Sequence, residues 1–276
     1  MSLIDDMLMA QEATYSSAIR GWMAKDAANR YKEYLWSGRV GVGAFTSWTC
    51  CPKKIVKESQ EAKRWPYSLL YKFELGHAYH AMYQKAAQNT PNLKWIKPYN
   101  IPDCSIESYN DLGVKVVMTM QEHLDKCWPE IPVTTRYEGR VIISGRADDV
   151  ENYCKRPMVV DIKTVNDKLN DFKNKTDEEM LQEKHRIQAT IYAILMNDDK
   201  YYAPFEINKV KLFYICTHDD GQIGNPDSER EIYCPVKDED IVKFHLISDE
   251  TTRQVLASDN KDDLECKYKY CEAHNL

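Results

Sequence analysis

Two short stretches carry charged side chains at spacings that chemistry can use. Ser144-Gly145-Arg146-Ala147-Asp148-Asp149-Val150 is followed, after a polar turn, by Pro157-Met158-Val159-Val160-Asp161-Ile162-Lys163-Thr164. Met158, Val159 and Val160 make an apolar, partly β-branched run suited to a buried strand, and it stops abruptly at an acid, one apolar residue and a lysine. Side chains alternate faces along a strand, so Asp161 and Lys163 point one way and Ile162 the other. Charge at the end of a core strand is costly unless it is paired or bound to metal. Read alone, the pair is also what an ordinary strand end with a surface acid and a surface lysine would show.

Elements on both sides must position this stretch. Upstream, residues 1 to about 38 read as a helical layer, with Leu8, Ile19, Trp22, Met23 and Ala27 spaced for one face, and Gly41 and Gly43 break it. A short helix is expected from Thr46, and a longer one from Pro66 to about Gln88. The longer helix contains Gly76-His77-Ala78-Tyr79-His80, whose two histidines are three apart and share a face. A glycine inside a helix costs about 1 kcal/mol, and close approach of another backbone would explain Gly76. Between Asn110 and Cys127 the pattern reads as a helix ended by Pro129.

The period then changes, and Arg136–Ile143, Arg146–Tyr153 and Met158–Val165 read as successive strands. Thr176-Asp177-Glu178-Glu179 matches a capping box that opens a helix through Ile187, Ile191 and Leu195 to about Asn197. On this helix Gln188 and Tyr192 are four apart and can reach the strand ends. A strand at Val210–Cys216, another near Glu231–Cys234 and a helix from Asp238 to Ala257 complete the pattern. Strands interleaved with helices predict an α/β fold with a mixed sheet flanked by helices.

The chain has 276 residues, 43% of them hydrophobic, enough for one large core with an appended subdomain. No apolar run is long enough to span a membrane, and Met1-Ser2-Leu3-Ile4-Asp5-Asp6 lacks the basic and apolar parts of a signal peptide. A cytoplasmic protein without membrane contact is expected, in the host cytoplasm if the source is viral. The net charge of −6 excludes a generally basic coat, yet seven basic residues face two acids between Arg39 and Lys72. Such a local surface suits a phosphate backbone, and equally a solvated helix face.

Taken in order, Gly76–His80, Gly145–Asp148, Asp161–Lys163 and Gln188–Tyr192 resemble the RecB-type branch of the PD-(D/E)XK nuclease superfamily. That branch shows a Gly-x-x-x-His helix, a Gly-x-x-Asp strand, an Asp/Glu-x-Lys strand and a Gln-x-x-x-Tyr helix. Thr46–Lys54 also looks like its N-terminal Ser-x-x-x-Cys-Pro helix. The resemblance, to CRISPR-associated adaptation nucleases and phage-type exonucleases among others, covers roughly residues 44 to 200. It implies a restriction-endonuclease-like α/β fold over residues 46–276, preceded by an N-terminal helical extension over residues 1–45.

Phosphodiester hydrolysis needs charge neutralised on the phosphoryl oxygens, a hydroxide made from water, and a stabilised leaving oxygen. Asp148, Asp161 and the backbone carbonyl of Ile162 are hard oxygen donors for Mg2+ or Mn2+, and the imidazole of His80 favours Mn2+. Lys163 would orient or deprotonate the attacking water and balance charge. Gln188 and Tyr192 would contact the scissile phosphate or the water, as the resemblance implies. Asp149 faces away from Asp148 and is the poorer ligand; His77 is a helper or a packing residue.

The resemblance also raises an iron–sulfur cluster, held in many members of the branch by one N-terminal and three C-terminal cysteines. Cys51, Cys266 and Cys271 match in place, but Lys269 stands where a further cysteine is expected. Four thiolates are the ordinary requirement, so the pattern is incomplete unless Cys50 or His274 completes it; packing cysteines or remnants of a lost cluster fit it better. The expected activity is a metal-dependent DNA exonuclease serving recombination, repair or viral genome processing, with DNA as partner alongside recombination or replication proteins. A structure-specific endonuclease on the same fold, or a non-catalytic DNA-binding or assembly subunit, are the alternatives.

Overall fold

The computed structural model describes residues 38–48, 51–60, 67–89, 105–109, 115–119, 130–153, 156–198, 206–217 and 226–258. Strand β1 (Val40–Gly41) runs into a 3-10 turn at Val42–Phe45, and helices α1 (Pro52–Gln60) and α2 (Tyr67–Asn89) follow. Strands β2 (Ser105–Tyr109) and β3 (Lys115–Thr119) pair antiparallel by themselves. Next come β4 (Ile131–Tyr137), β5 (Arg140–Ala147), β6 (Asp149–Tyr153) and β7 (Arg156–Val165). Three helices, α3 (Leu169–Asn174), α4 (Asp177–Met180) and α5 (Glu183–Asp198), separate β7 from β8 (Lys209–Cys216). Strand β9 (Glu229–Pro235) and helix α6 (Asp238–Ala257) close the described chain.

Two mixed sheets result. One has the order β1-β5-β4, with β1 parallel to β5; the other has the order β6-β7-β8-β9, with β7 parallel to β8 and antiparallel pairs outside. A parallel pair needs a crossover, and α3 to α5 provide it. Between Ile187 and Met196 every residue except Gln188 is buried. A helix apolar on nearly all sides must be enclosed, and α5 lies against strands of both sheets and against α6. Its residues join Val40, Phe45, Ile142, Ile143, Val159, Leu212 and Phe244 in one core. Arg186 locks α5 to α6 through Asp240, whose side chain is buried, at 2.6 and 3.3 Å.

On the opposite face of the second sheet, Val160, Ile162 and Ile215 pack under Tyr79 and Tyr83 of α2. With both faces of β7 covered, its run Met158–Val160 has no polar alternation, as expected for a central strand. The mixed sheets flanked by helices agree with the fold class expected from the sequence. Val40 pairs with Ile143, so residues 40–45 are part of the sheet and core. The expected N-terminal helix over residues 1 to 38 lies outside the described residues.

Three expectations need correction. Residues 115–119, expected within a helix, form a strand, because Val116 and Val117 pair with Ser108 and Glu107. The hairpin of β4 and β5 turns at Glu138 and Gly139, both at positive φ as a type I′ turn requires, so Arg136–Ile143 is two strand ends and not one strand. The capping box at Thr176 is present, with Glu179 bonding back, but it caps only the short α4. Leu181 turns extended and the Gln182 backbone N–H donates to the Tyr214 hydroxyl at 3.2 Å, which starts α5 afresh.

Candidate active site

Strand β6 stops pairing with β7 at Asp149 opposite Val160, so beyond Val160 that edge of β7 is open. Asp148, at the bend between β5 and β6, fills the gap. Its Oδ2 accepts a hydrogen bond from the Ile162 backbone N–H at 2.7 Å, and its Oδ1 lies 3.2 Å from His80 Nδ1 on α2. One turn after His80, Gln84 donates from Nε2 to the Asp148 carbonyl at 3.3 Å. Asp148 is therefore held by α2 and by β7 together. A strand residue's N–H and C=O leave on the same side, so the Ile162 carbonyl also faces this opening.

Asp161 and Lys163 lie on the other face of β7, under α5. Lys163 Nζ is 2.8 Å from Asp161 Oδ2 and donates to Gln188 Oε1 at 3.0 Å. Gln188 Nε2 donates in turn to the Tyr192 hydroxyl at 3.0 Å. The result is a chain Asp161–Lys163–Gln188–Tyr192 with a charged end and a phenol end. Gly145 makes room for it, since a Cβ there would stand 2.8 Å from both Tyr192 Cε1 and Val42 Cγ2. Gly76 is less constrained; a Cβ there would meet only Thr164 Oγ1, at 3.6 Å, which is ordinary contact.

The electrostatics are those of a site assembled before its ligand. Asp161 is 2% exposed. Burial pushes its pKa up, and the Lys163 ammonium opposes that shift. Asp161 Oδ2 is buried, and its partner is the Lys163 ammonium 2.8 Å away. Burial works against charge on His80 too, but the hydrogen bond and charge of Asp148 outweigh it and its pKa is raised. Burial raises the Tyr192 phenol and the nearby Asp161 charge adds to the shift, so this hydroxyl stays protonated at working pH.

Asp148, Asp161 and the Ile162 carbonyl supply hard oxygen donors of the kind that divalent cations take, and Asp161 Oδ2, buried with the Lys163 ammonium 2.8 Å away, already sits beside a cation. Among the described residues no three His, Cys, Asp or Glu side chains already form a closed metal cage. In this arrangement His80 and the Ile162 N–H occupy both Asp148 oxygens, while the Lys163 ammonium is the cation beside Asp161. In donor type these residues suit Mg2+ or Mn2+, and an ion bound there would displace the Lys163 ammonium from Asp161 and His80 from Asp148.

Other expected residues fall elsewhere. His77 is largely exposed and 3.8 Å from Glu74, away from the cluster. Cys51 is buried; Cys50, Cys266, Cys271 and His274 lie outside the described residues. Asp149 points to the face opposite Asp161, near Glu151 and Lys211. Burial, only partly offset by the bond from the Val150 N–H, pushes its pKa up to about 7.

A carboxyl that ionises near 3.8 when unfolded and about 7 when folded binds more protons in the native state between those values. The stability it contributes is full below the lower value and is lost as pH rises through the upper one. Asp149→Asn keeps an acceptor for Val150 and carries no charge, so it gains on the wild type across this window, by at most about 1.4 kcal/mol per pH unit, and levels off above it. Urea unfolding at acidic and mildly alkaline pH checks this; a pH-independent difference between the two proteins would contradict it.

Gln84, His185 and Tyr214 also stand at the site and are not singled out by the sequence. Gln84 follows His80 by four and His185 precedes Gln188 by three, helix spacings that could have pointed to both. Tyr214 becomes visible only through the pairing of β7 with β8.

No curated protein matches the chain. Among solved structures it is similar to a crystal structure described as a "Putative exonuclease" from Eubacterium rectale, at 11% identity and a TM-score of 0.42, covering 90% of this chain and 91% of that one. The family model of the PD-(D/E)XK nuclease superfamily matches residues 49–276, which include His80, Asp148, Asp161, Lys163, Gln188 and Tyr192. By that match the chain belongs to the PD-(D/E)XK nuclease superfamily.

Proposed function

We propose that this protein is a divalent-metal-dependent deoxyribonuclease that removes nucleotides from DNA ends. The observation that carries the reading is the convergence of Asp148, Asp161 and Lys163 at the open end of β7, with the Asp161 carboxylate buried against the Lys163 ammonium and Asp148 bonded to the Ile162 N–H. A buried carboxylate is costly to keep even beside one ammonium, and a cation-binding role accounts for it. Asp148, Asp161 and the Ile162 carbonyl would hold Mg2+ or Mn2+, which supplies charge neutralisation at the phosphoryl oxygens and lowers the pKa of a bound water.

The protein's own groups divide the remaining work. Lys163, held as an ammonium between Asp161 and Gln188, orients the attacking water, whose proton leaves to solvent, and balances charge on the phosphoryl group. Gln188 fixes the Lys163 ammonium on one side and the Tyr192 hydroxyl on the other, which places a neutral donor toward the substrate. His80 and Gln84 keep Asp148 turned into the site. The exonuclease reading rests on the motifs shared with the RecB-type branch, as does a place in recombination, repair or viral genome processing. Work in the cytoplasm, together with recombination or replication proteins, belongs to the same reading; among the described residues no helix is long and apolar enough to cross a membrane.

End-labelled linear and covalently closed circular single-stranded DNA, each incubated with Mg2+ or Mn2+, test the proposal. The linear strand is expected to shorten from an end while the circle survives. Cutting of the circle would replace the exonuclease by an endonuclease, and DNA binding without any cleavage would make the chain a binding subunit.

A further inference from the structure

His185 and Tyr214 border the site but are outside the chain from Asp161 to Tyr192. His185 precedes Gln188 by three positions and Tyr192 by seven, so the three side chains form one stripe along α5. Tyr214 stands directly across from Lys163 in the β7–β8 register and shares its face of the sheet. His185 Nδ1 is 3.1 Å from the Tyr214 hydroxyl, which already accepts from the Gln182 N–H. The one proton of the phenol is then best placed on Nδ1, leaving the imidazole neutral with its own proton on Nε2. Among the described residues Nε2 has no hydrogen-bond partner, and the side chain is half-buried at the edge of the site.

The surroundings point to what this donor meets. Burial keeps His185 uncharged, with its pKa pushed down to about 3, and the neighbouring charges that add to the shift, Lys163 and Lys184, are both positive. A neutral N–H donor in a positive setting, one helical turn from Gln188, suits an anionic oxygen. We propose that His185 is a DNA-binding residue whose Nε2–H donates to a non-bridging oxygen of a phosphate adjacent to the scissile one, with Tyr214 fixing its orientation. The inference rests on the nuclease reading and deepens it: His185 sets the register of the strand, so that one phosphate and no other comes opposite Lys163.

The test replaces, one at a time, the phosphates flanking the cleavage position by methylphosphonates, which lack the anionic oxygen. Wild-type protein, His185→Asn and His185→Gln are compared. Asn can still meet the Tyr214 hydroxyl from the Nδ1 position but has nothing at Nε2, whereas Gln reaches the Nε2 position. In the wild type one flanking methylphosphonate should raise KM by about tenfold or more, the worth of a hydrogen bond to a charged group. His185→Asn should raise KM similarly on the unmodified strand with kcat little changed, and should lose nothing further from that methylphosphonate. His185→Gln should recover part of the loss. A wild type insensitive at every flanking position, or a His185→Asn variant with the wild-type interference profile, overturns the proposal and leaves the nuclease reading intact. Loss of kcat and thermal stability in both variants, with no phosphate singled out, overturns it as well. A wild type that cleaves no strand overturns both.

Discussion

Asp161→Asn will reduce cleavage of linear DNA at least about a thousandfold, the scale lost when a preorganised charge or metal ligand leaves a phosphoryl-transfer site, while leaving the fold as stable as before or more so. The two halves of this expectation share one cause. Asp161 is a buried acid whose pKa burial pushes up although Lys163 opposes the shift, so the fold carries its charge at a cost. An amide of the same shape removes the buried charge. It leaves Lys163, whose side chain is 17% exposed, still bonded to Gln188. Because the Asp161 pKa is raised even with Lys163 beside it, its charge is unfavourable in the fold and a neutral amide relieves that cost, while the partly exposed Lys163 ammonium left behind reaches solvent. Initial rates and thermal denaturation on the same preparations check this. A variant within tenfold of the wild type would remove Asp161 from the reacting centre, and loss of folding together with activity would make its role structural.

Gly145→Ala carries the second large effect, and it acts through packing. The added Cβ would stand 2.8 Å from Tyr192 Cε1 and 2.8 Å from Val42 Cγ2. Tyr192 is 6% exposed and Val42 1%, so neither can swing into solvent. Overpacking of this kind costs about 1 to 3 kcal/mol. Any shift of the Tyr192 ring also pulls its hydroxyl away from Gln188, which holds Lys163. We expect a lowered unfolding midpoint and a fall in kcat of about tenfold or more, since small misplacements at a reacting centre are expensive. Val42→Ala on the Gly145→Ala background should restore part of both by opening space on the Val42 side. An alanine variant with wild-type stability and rate would mean that the glycine has no steric role.

These two residues show how much of the site is legible in the sequence. The pairing of Asp161 with Lys163 follows from the period of two along a strand, and that of Gln188 with Tyr192 from the period of a helix; both are local rules. Gly145 is visible as part of a motif, but its reason, contact with a ring forty-seven positions later, belongs to tertiary packing. Tyr214 is hidden for a similar cause, because only the parallel register of β7 and β8 sets it beside Lys163. Residues 115–119 mislead because an apolar run between polar neighbours fits either a helix or a strand, and the partner strand Ser105–Tyr109 decides. The single helix expected from Thr176 breaks at Leu181 and Gln182, where the Tyr214 hydroxyl captures a backbone N–H that a continuous helix would have used.

Whether Asp148, Asp161 and Lys163 form a metal-dependent phosphodiester-cleaving centre is read most directly from end-labelled linear DNA. Wild-type protein and Asp161→Asn are followed side by side, with Mn2+ present and again with the metal chelated. The strand should shorten only with the wild type and only with Mn2+. Equal cleavage by both proteins, or cleavage that persists with the metal chelated, would contradict such a centre.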